Sequence, residues 1–293
     1  MHQNIALVLS SGGARGYAHI GAIKVLEKHG YHITSVAGTS MGAMIGGVFA
    51  TGRLAEFESW LVSLDIKEVL RLTDFSISSK GFVKGKKIFE RIKEIMPECF
   101  IEDLLIPYCA IATDILQGRE TVFNKGSLYD AIRASVSIPT VFLPQQIGDH
   151  FYVDGGITNP IPVNRVKRNK GDILVVVDVN SPRPFQHREV SAETNNHEKH
   201  RDQIDMIHRK MNNFLPENKG NEIGIFNLMN RSITTMTRKI SELTLEKHKP
   251  DLLISISVES FNAYDFYKAK EIIKEGEIAT EDALNEIVVN NLP

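Results

Sequence analysis

Apolar residues recur along this chain in two alternating patterns. Runs such as Ile5-Ala6-Leu7-Val8-Leu9 are apolar throughout, the pattern of a strand buried on both faces. Between such runs, apolar residues return every three or four positions. Residues 17–29 put Ala18, Ala22, Val25 and Leu26 on one helical face, with Gly30 as the stop. A second strand ends at Val36-Ala37, and residues 40–50 predict a helix closed by Gly52. Two amphipathic helices are expected over 54–64 and 86–96, the latter ending before Pro97. Residues 108–113 and 121–123 alternate as strands do. Ser127 reads as the N-cap of a helix through Ala134, with Asp130 completing a capping-box-like start. The β-branched run 173–179 predicts a central strand. A long helix over 225–247, a strand over 252–258 and two closing helices over 266–275 and 279–289 complete the chain. The alternation predicts an α/β fold, a mostly parallel central sheet flanked by helices. Open sheets of this kind place their sites beyond the carboxyl ends of the strands.

The pattern lapses after Asn180. Residues 181–203 are polar and lack an apolar period, and they hold His187, His197 and His200. A surface loop is the expectation there. Further on, Met206, Ile207, Met211, Phe214 and Leu215 fall at nearly helical spacing. They fit an amphipathic lid or a helix packed permanently on the core. Residues 1–293 are expected to form a single domain with a polar excursion at about 181–220.

Composition narrows the function classes. With 42% hydrophobic and 24% charged residues the chain is an ordinary globular protein. A net charge of −2, without basic blocks interleaved with aromatics, gives no case for nucleic acid. The two cysteines, Cys99 and Cys109, make no disulfide framework, which suits a reducing compartment. No paired His/Cys spacing and no calcium loop is present, so neither a metal nor another cofactor is expected. Met1-His2-Gln3-Asn4 offers no basic n-region or cleavage site, which makes a cytoplasmic location the expectation. The uncharged stretch 35–52 is rich in Gly, Ser and Thr, and a buried strand–turn–helix explains it better than a membrane span.

That stretch carries the chemistry. Gly38-Thr39-Ser40-Met41-Gly42 lies between a strand and a helix, the context of a G-x-S-x-G nucleophile elbow. Ser40 would stand at the positive end of a helix dipole. Alone, the pentapeptide is equally a glycine-rich turn with a buried serine. Ser10-Ser11-Gly12-Gly13-Ala14-Arg15-Gly16 follows the first strand and leaves several backbone N–H groups unshielded, a loop suited to an anion. The spacing is not that of a dinucleotide fingerprint, and no Gly-Lys-Ser/Thr follows to make a P-loop. An oxyanion hole from Gly12, Gly13 and Ala14 is preferred. Asp154-Gly155-Gly156 follows the strand-like Phe151-Tyr152-Val153. Asp154 either caps its own turn or reaches Ser40 as a proton acceptor.

In this order and context the segments resemble the patatin-like phospholipase family, from residue 5 to about residue 179. The first loop is similar to the family's G-G-G-x-R/K-G with Ser11 in place of the first glycine, and the elbow matches fully. Ala134-Ser135-Val136-Ser137-Ile138-Pro139 resembles the block before the active-site aspartate, and Asp154-Gly155-Gly156 and Asn159-Pro160-Ile161-Pro162 resemble that aspartate's own segment. The resemblance implies a three-layer patatin-like fold and a lipid acyl hydrolase with a Ser40–Asp154 dyad, acting through an acyl-enzyme on a lipid or lysolipid ester. It leaves room for peripheral membrane contact and says nothing of oligomeric state. Arg15 would support the loop or attract a phosphate headgroup. Two alternatives stay open. One is a Ser-His-Asp hydrolase of small esters, with His187, His197, His200, His208 or His248 as the base. The other is a non-catalytic lipid-binding regulatory protein.

Overall fold

The computed structural model describes residues 3–72, 86–139, 141–184 and 225–290. The excursion and the proposed lid fall almost wholly outside the described residues, as do His187, His197, His200 and His208.

The chain opens with β1 (Gln3–Leu9), α1 (Ala18–Lys28), β2 (Tyr31–Thr39) and α2 (Met41–Ala50). Helices α3 (Leu54–Ser63), α4 (Ile66–Leu72) and α5 (Lys86–Ile95) follow. Then come β3 (Tyr108–Asp114), β4 (Arg119–Phe123) and α6 (Leu128–Ser135). Strands β5 (Gln145–Ile147), β6 (His150–Asp154) and β7 (Ile173–Ser181) lead to α7 (Ile225–Lys247), β8 (Leu252–Ser257) and α8 (Ala269–Asn290). The expected N-cap is in place, with the Ser127 hydroxyl accepting from the Asp130 N–H at 3.2 Å.

The strands form one sheet in the order β5-β6-β3-β2-β1-β7-β8, with β4 also on β3. From β3 to β8 the pairs are parallel. The other end is antiparallel, through β3–β4, β3–β6 and β5–β6. Ile5, Leu7 and Leu9 of β1 face the main core, while Val8 faces a second cluster with Ile161, Val163, Leu174 and Val176. A strand apolar on both faces is thus covered on both, by α1, α2 and α8 on one side and by residues 161–166 with α7 on the other. None of the described helices is long and apolar enough to cross a membrane.

Residues 266–275 and 279–289 do not form two helices; α8 runs unbroken from Ala269 to Asn290. Gly276 lies in the gap between the two expected helices, and glycine weakens a helix by about 1 kcal/mol relative to alanine. Its role is close approach instead. A Cβ on Gly276 would lie 2.0 Å from the Ala18 carbonyl oxygen, and one on Gly21 2.1 Å from that of Ile273. The two glycines let α1 and α8 cross backbone to backbone, and tertiary packing overrides local propensity.

Candidate active site

Sheet register brings the parts together. Leu9 pairs with Gly38, Thr39 with Ile111, and the next residue of β3, Ala112, with Asp154. The first loop, the elbow and Asp154 therefore leave three strands at one level. Asp154 arrives on an antiparallel strand, so it enters from the opposite direction to Ser40.

The elbow is tight for steric reasons. A Cβ on Gly38 would meet the Gly42 carbonyl oxygen at 2.3 Å, and one on Gly42 would meet the Leu9 carbonyl oxygen at 2.3 Å. Ser40 itself has φ 56° and ψ −122° and is the one non-glycine residue with positive φ among the described residues. Its backbone is held by neighbours. The Ser40 N–H donates to Ser135 Oγ at 2.9 Å, and that hydroxyl donates to the Ile111 carbonyl at 2.6 Å. The Thr39 hydroxyl donates to the Asn159 carbonyl at 2.8 Å.

The Ser40 hydroxyl donates directly to Asp154 Oδ2 at 2.5 Å. Both side chains are buried, at 4% and 7% exposure. The other carboxylate oxygen, Oδ1, accepts the Gly156 N–H at 2.7 Å, and the Asp154 N–H donates to the Ser137 carbonyl at 2.9 Å. Burial pushes the Asp154 carboxyl up to about 6, against the hydrogen bonds from Ser40 and Gly156, which favour the anion. Among the described residues no histidine hydrogen-bonds to either side chain. His19 lies behind the first loop, with Nε2 donating to the Ser10 carbonyl at 2.9 Å, and burial pushes it down to about 4, so it is neutral. A serine hydroxyl hydrogen-bonded to a carboxylate of raised basicity, at a helix N-terminus, has the makings of an activated nucleophile.

One expectation for the first loop fails. The Ala14 N–H donates to the Ala263 carbonyl at 2.8 Å and is not free for an oxyanion. The Gly12 and Gly13 N–H groups meet no acceptor among the described residues. The loop is braced around them. Arg15 donates from Nε to the Val179 carbonyl at 3.1 Å, from Nη1 to the Phe261 carbonyl at 3.2 Å, and from Nη2 to Asn180 Oδ1 at 2.6 Å. Asn180 Nδ2 donates in turn to the Ser11 carbonyl. The guanidinium is committed to protein acceptors, which favours loop support over headgroup attraction. Burial lowers the Arg15 pKa, while Asp178 and Asp265 oppose that shift.

Sequence reasoning missed Asn180, Ala263 and the part played by Ser135. Ser135 lay within the recognised A-S-x-S-x-P block, so its presence was legible though its hydrogen bonds were not. Asn180 directly follows a β-branched strand run, a weak signal for a strand-end residue near a site. Nothing local marked Ala263.

This chain is similar to several known proteins. An uncharacterized NTE family protein of Mycobacterium tuberculosis is 46% identical over 176 residues, covering 60% of this chain and 49% of that protein. Lysophospholipase NTE1 of Debaryomyces hansenii is 32% identical over 188 residues, covering 61% of this chain and 12% of its own. Patatin-like phospholipase domain-containing protein 6 of Homo sapiens is 33% identical over 186 residues, covering 60% and 13%. The chain thus spans about half the length of the first relative and much less of the others. The crystal structure of VipD from Legionella pneumophila aligns with 97% of this chain and 67% of its own, at 14% identity and a TM-score of 0.46. Residues 7–166 match the family described as patatin-like phospholipase, and that span holds the elbow, the first loop and Asp154. The chain belongs to the patatin-like phospholipase family.

Proposed function

We propose that the protein is a lipid acyl hydrolase working through a Ser40–Asp154 dyad. The observation that carries this reading is the direct Ser40 Oγ to Asp154 Oδ2 hydrogen bond of 2.5 Å. Ser40 Oγ attacks the ester carbonyl carbon as its proton passes to Asp154. The carbonyl oxygen becomes an oxyanion, held by the Gly12 and Gly13 N–H groups. Collapse breaks the bond to the leaving alcohol, which takes the proton from Asp154. Water then attacks the acyl-enzyme while Asp154 accepts its proton, and Ser40 regains that proton as the fatty acid leaves. An aspartate near its ordinary value of 3.8 is a poor base at neutral pH; a carboxyl raised to about 6 is a better one.

The substrate class follows from family membership and from the relative named a lysophospholipase: a phospholipid or lysophospholipid ester. The test is incubation with phosphatidylcholine and lysophosphatidylcholine, with released fatty acid read by mass spectrometry. A fluorophosphonate probe should label the protein at Ser40. Ser40→Ala should lose both label and release; labelling that persists in Ser40→Ala sinks the assignment. The direct contact also disfavours the Ser-His-Asp alternative. In that arrangement an imidazole stands between the two oxygens, and here they touch.

A further inference from the structure

Ser40 is nearly sealed from solvent, yet the proposed substrates reside in bilayers. Because β7 and β8 are parallel, α7, which precedes β8, ends at the amino edge of the sheet and begins at the carboxyl edge, where Ser40 lies. Midway along α7, the Thr237 hydroxyl donates to the Gly156 carbonyl at 3.2 Å. Met229, eight residues earlier, therefore stands about 12 Å further along the helix axis, past the Asp154 turn. This part of α7 exposes Leu228 (53%), Met229 (50%) and Met236 (57%). The β3–β4 hairpin projects from the same edge, and its tip exposes Ile115 (48%) and Leu116 (67%).

We infer that the amino-terminal half of α7 and the tip of the β3–β4 hairpin together form the surface that seats this protein on an anionic lipid bilayer. The inference rests on the lipid-ester reading above. Large apolar side chains left in water on two separate elements, both bordering one buried nucleophile, are placed where an acyl chain must cross from bilayer to site. A second copy of the chain seated on the same rim would block that route. Charge agrees with the choice. Arg119 and Arg231 are exposed on the two elements. On these two elements Asp114 is buried against His150 at 2.7 Å, Glu120 is paired with Arg165, and Glu242 is paired with Arg238 and Lys239. Arginine beside apolar side chains is the pairing that anionic headgroups favour.

The experiment is vesicle flotation with the full chain carrying Ser40→Ala, so that no lipid is consumed. The vesicles are phosphatidylcholine with a minority of phosphatidylglycerol. The parent should float with them, and Met229→Asp with Leu116→Asp should weaken binding about tenfold or more. Arg119→Ala with Arg231→Ala should remove the dependence on phosphatidylglycerol and on salt. Should the aspartate pair lower the melting temperature, Met229→Ser with Leu116→Ser gives the same reading at lower risk. The inference is overturned if the parent fails to float or if the rim variants float as it does. It is also overturned if sedimentation shows a dimer that the rim variants dissolve, since the occupant is then a second copy. Binding is measured without chemistry, so its failure leaves the hydrolase reading intact, and absence of hydrolysis leaves the surface intact.

Discussion

Gly156 holds one oxygen of the Asp154 carboxylate through its N–H at 2.7 Å, so the other oxygen is the one turned to Ser40. Two donors on one carboxylate ordinarily make it more acidic. Here burial wins and the carboxyl rises from 3.8 to about 6. Asp154 thus has a basicity set by opposing effects, and each can be altered separately.

The first consequence is a pH profile. Proton acceptance needs the Asp154 anion, so kcat/KM for a short soluble ester should fall as pH drops through about 6. Above that value it should level off. Asp178, which burial also pushes up to about 6, lies near the Arg15 brace and titrates in the same window. Asp178→Asn separates the two: the profile should keep its acid limb. An acid limb that vanishes with Asp178→Asn would assign it to the wrong aspartate.

Asp154→Asn should lose nearly all turnover yet gain stability at neutral pH. The folded protein holds the Asp154 proton more tightly than the unfolded chain does. Its burden on stability is therefore absent below pH 3.8 and complete above about pH 6. The shift corresponds to about 3 kcal/mol. Thermal melting at about pH 8 should rise in Asp154→Asn, and the gain should shrink toward about pH 4. A lower melting temperature at both would mean that the carboxylate is a net structural contributor.

Arg15→Lys tests whether the brace around the first loop serves catalysis. Lysine keeps the charge but cannot reach three acceptors in fork geometry. If Arg15 holds the Gly12 and Gly13 amides in place, kcat should fall about tenfold or more while KM changes little, since those donors act on the transition state. Asn180→Ala should act in the same direction, because Asn180 links Arg15 to the Ser11 carbonyl. A rise in KM confined to phospholipid, with a neutral ester unaffected, would restore the headgroup reading.

The contrast between Gly38 and Gly276 shows what the sequence could and could not convey. Gly38 sits in a turn that closes on Gly42 within a few residues, so its need is written in the local pattern. Gly276 answers to Ala18 at the far end of the chain, and locally it resembles a helix break. The same division separates Asp154 from Ala263. A strand-end Asp-Gly-Gly announces itself, whereas the Ala263 carbonyl that takes up the Ala14 N–H has no side-chain signature. Strand direction was also hidden, because an antiparallel β6 and a parallel one have the same apolar alternation.

Gly276→Ala turns that contrast into a measurement. Alanine improves helix propensity by about 1 kcal/mol. Against this, the new Cβ would sit 2.0 Å from a backbone oxygen that cannot rotate away. Forcing α1 and α8 apart should dominate, for a net loss of about 1–2 kcal/mol. In a protein of this size that lowers the melting temperature by roughly 2–8 °C. A higher melting temperature would show that the crossing is loose.

The backbone of Ser40 is strained, and that strain can be measured. Its φ of 56° with ψ of −122° is a conformation glycine adopts freely and other residues resist. The conformation persists because the Ser135 hydroxyl holds the Ser40 N–H and the sheet holds Thr39. Ser40→Ala and Ser40→Gly both remove the hydroxyl and both leave Asp154 without that donor, so comparing them cancels those losses. What differs is the Cβ. Strain of this kind is worth about 1–3 kcal/mol, and glycine gives back about 0.5–1 kcal/mol in chain entropy. Ser40→Gly should therefore be the more stable variant by about 1 kcal/mol, read by urea unfolding of the two proteins side by side. Both should be equally inactive toward ester. If Ser40→Ala proves the more stable, the elbow stores no strain and the angle at Ser40 is one the fold adopts at no cost.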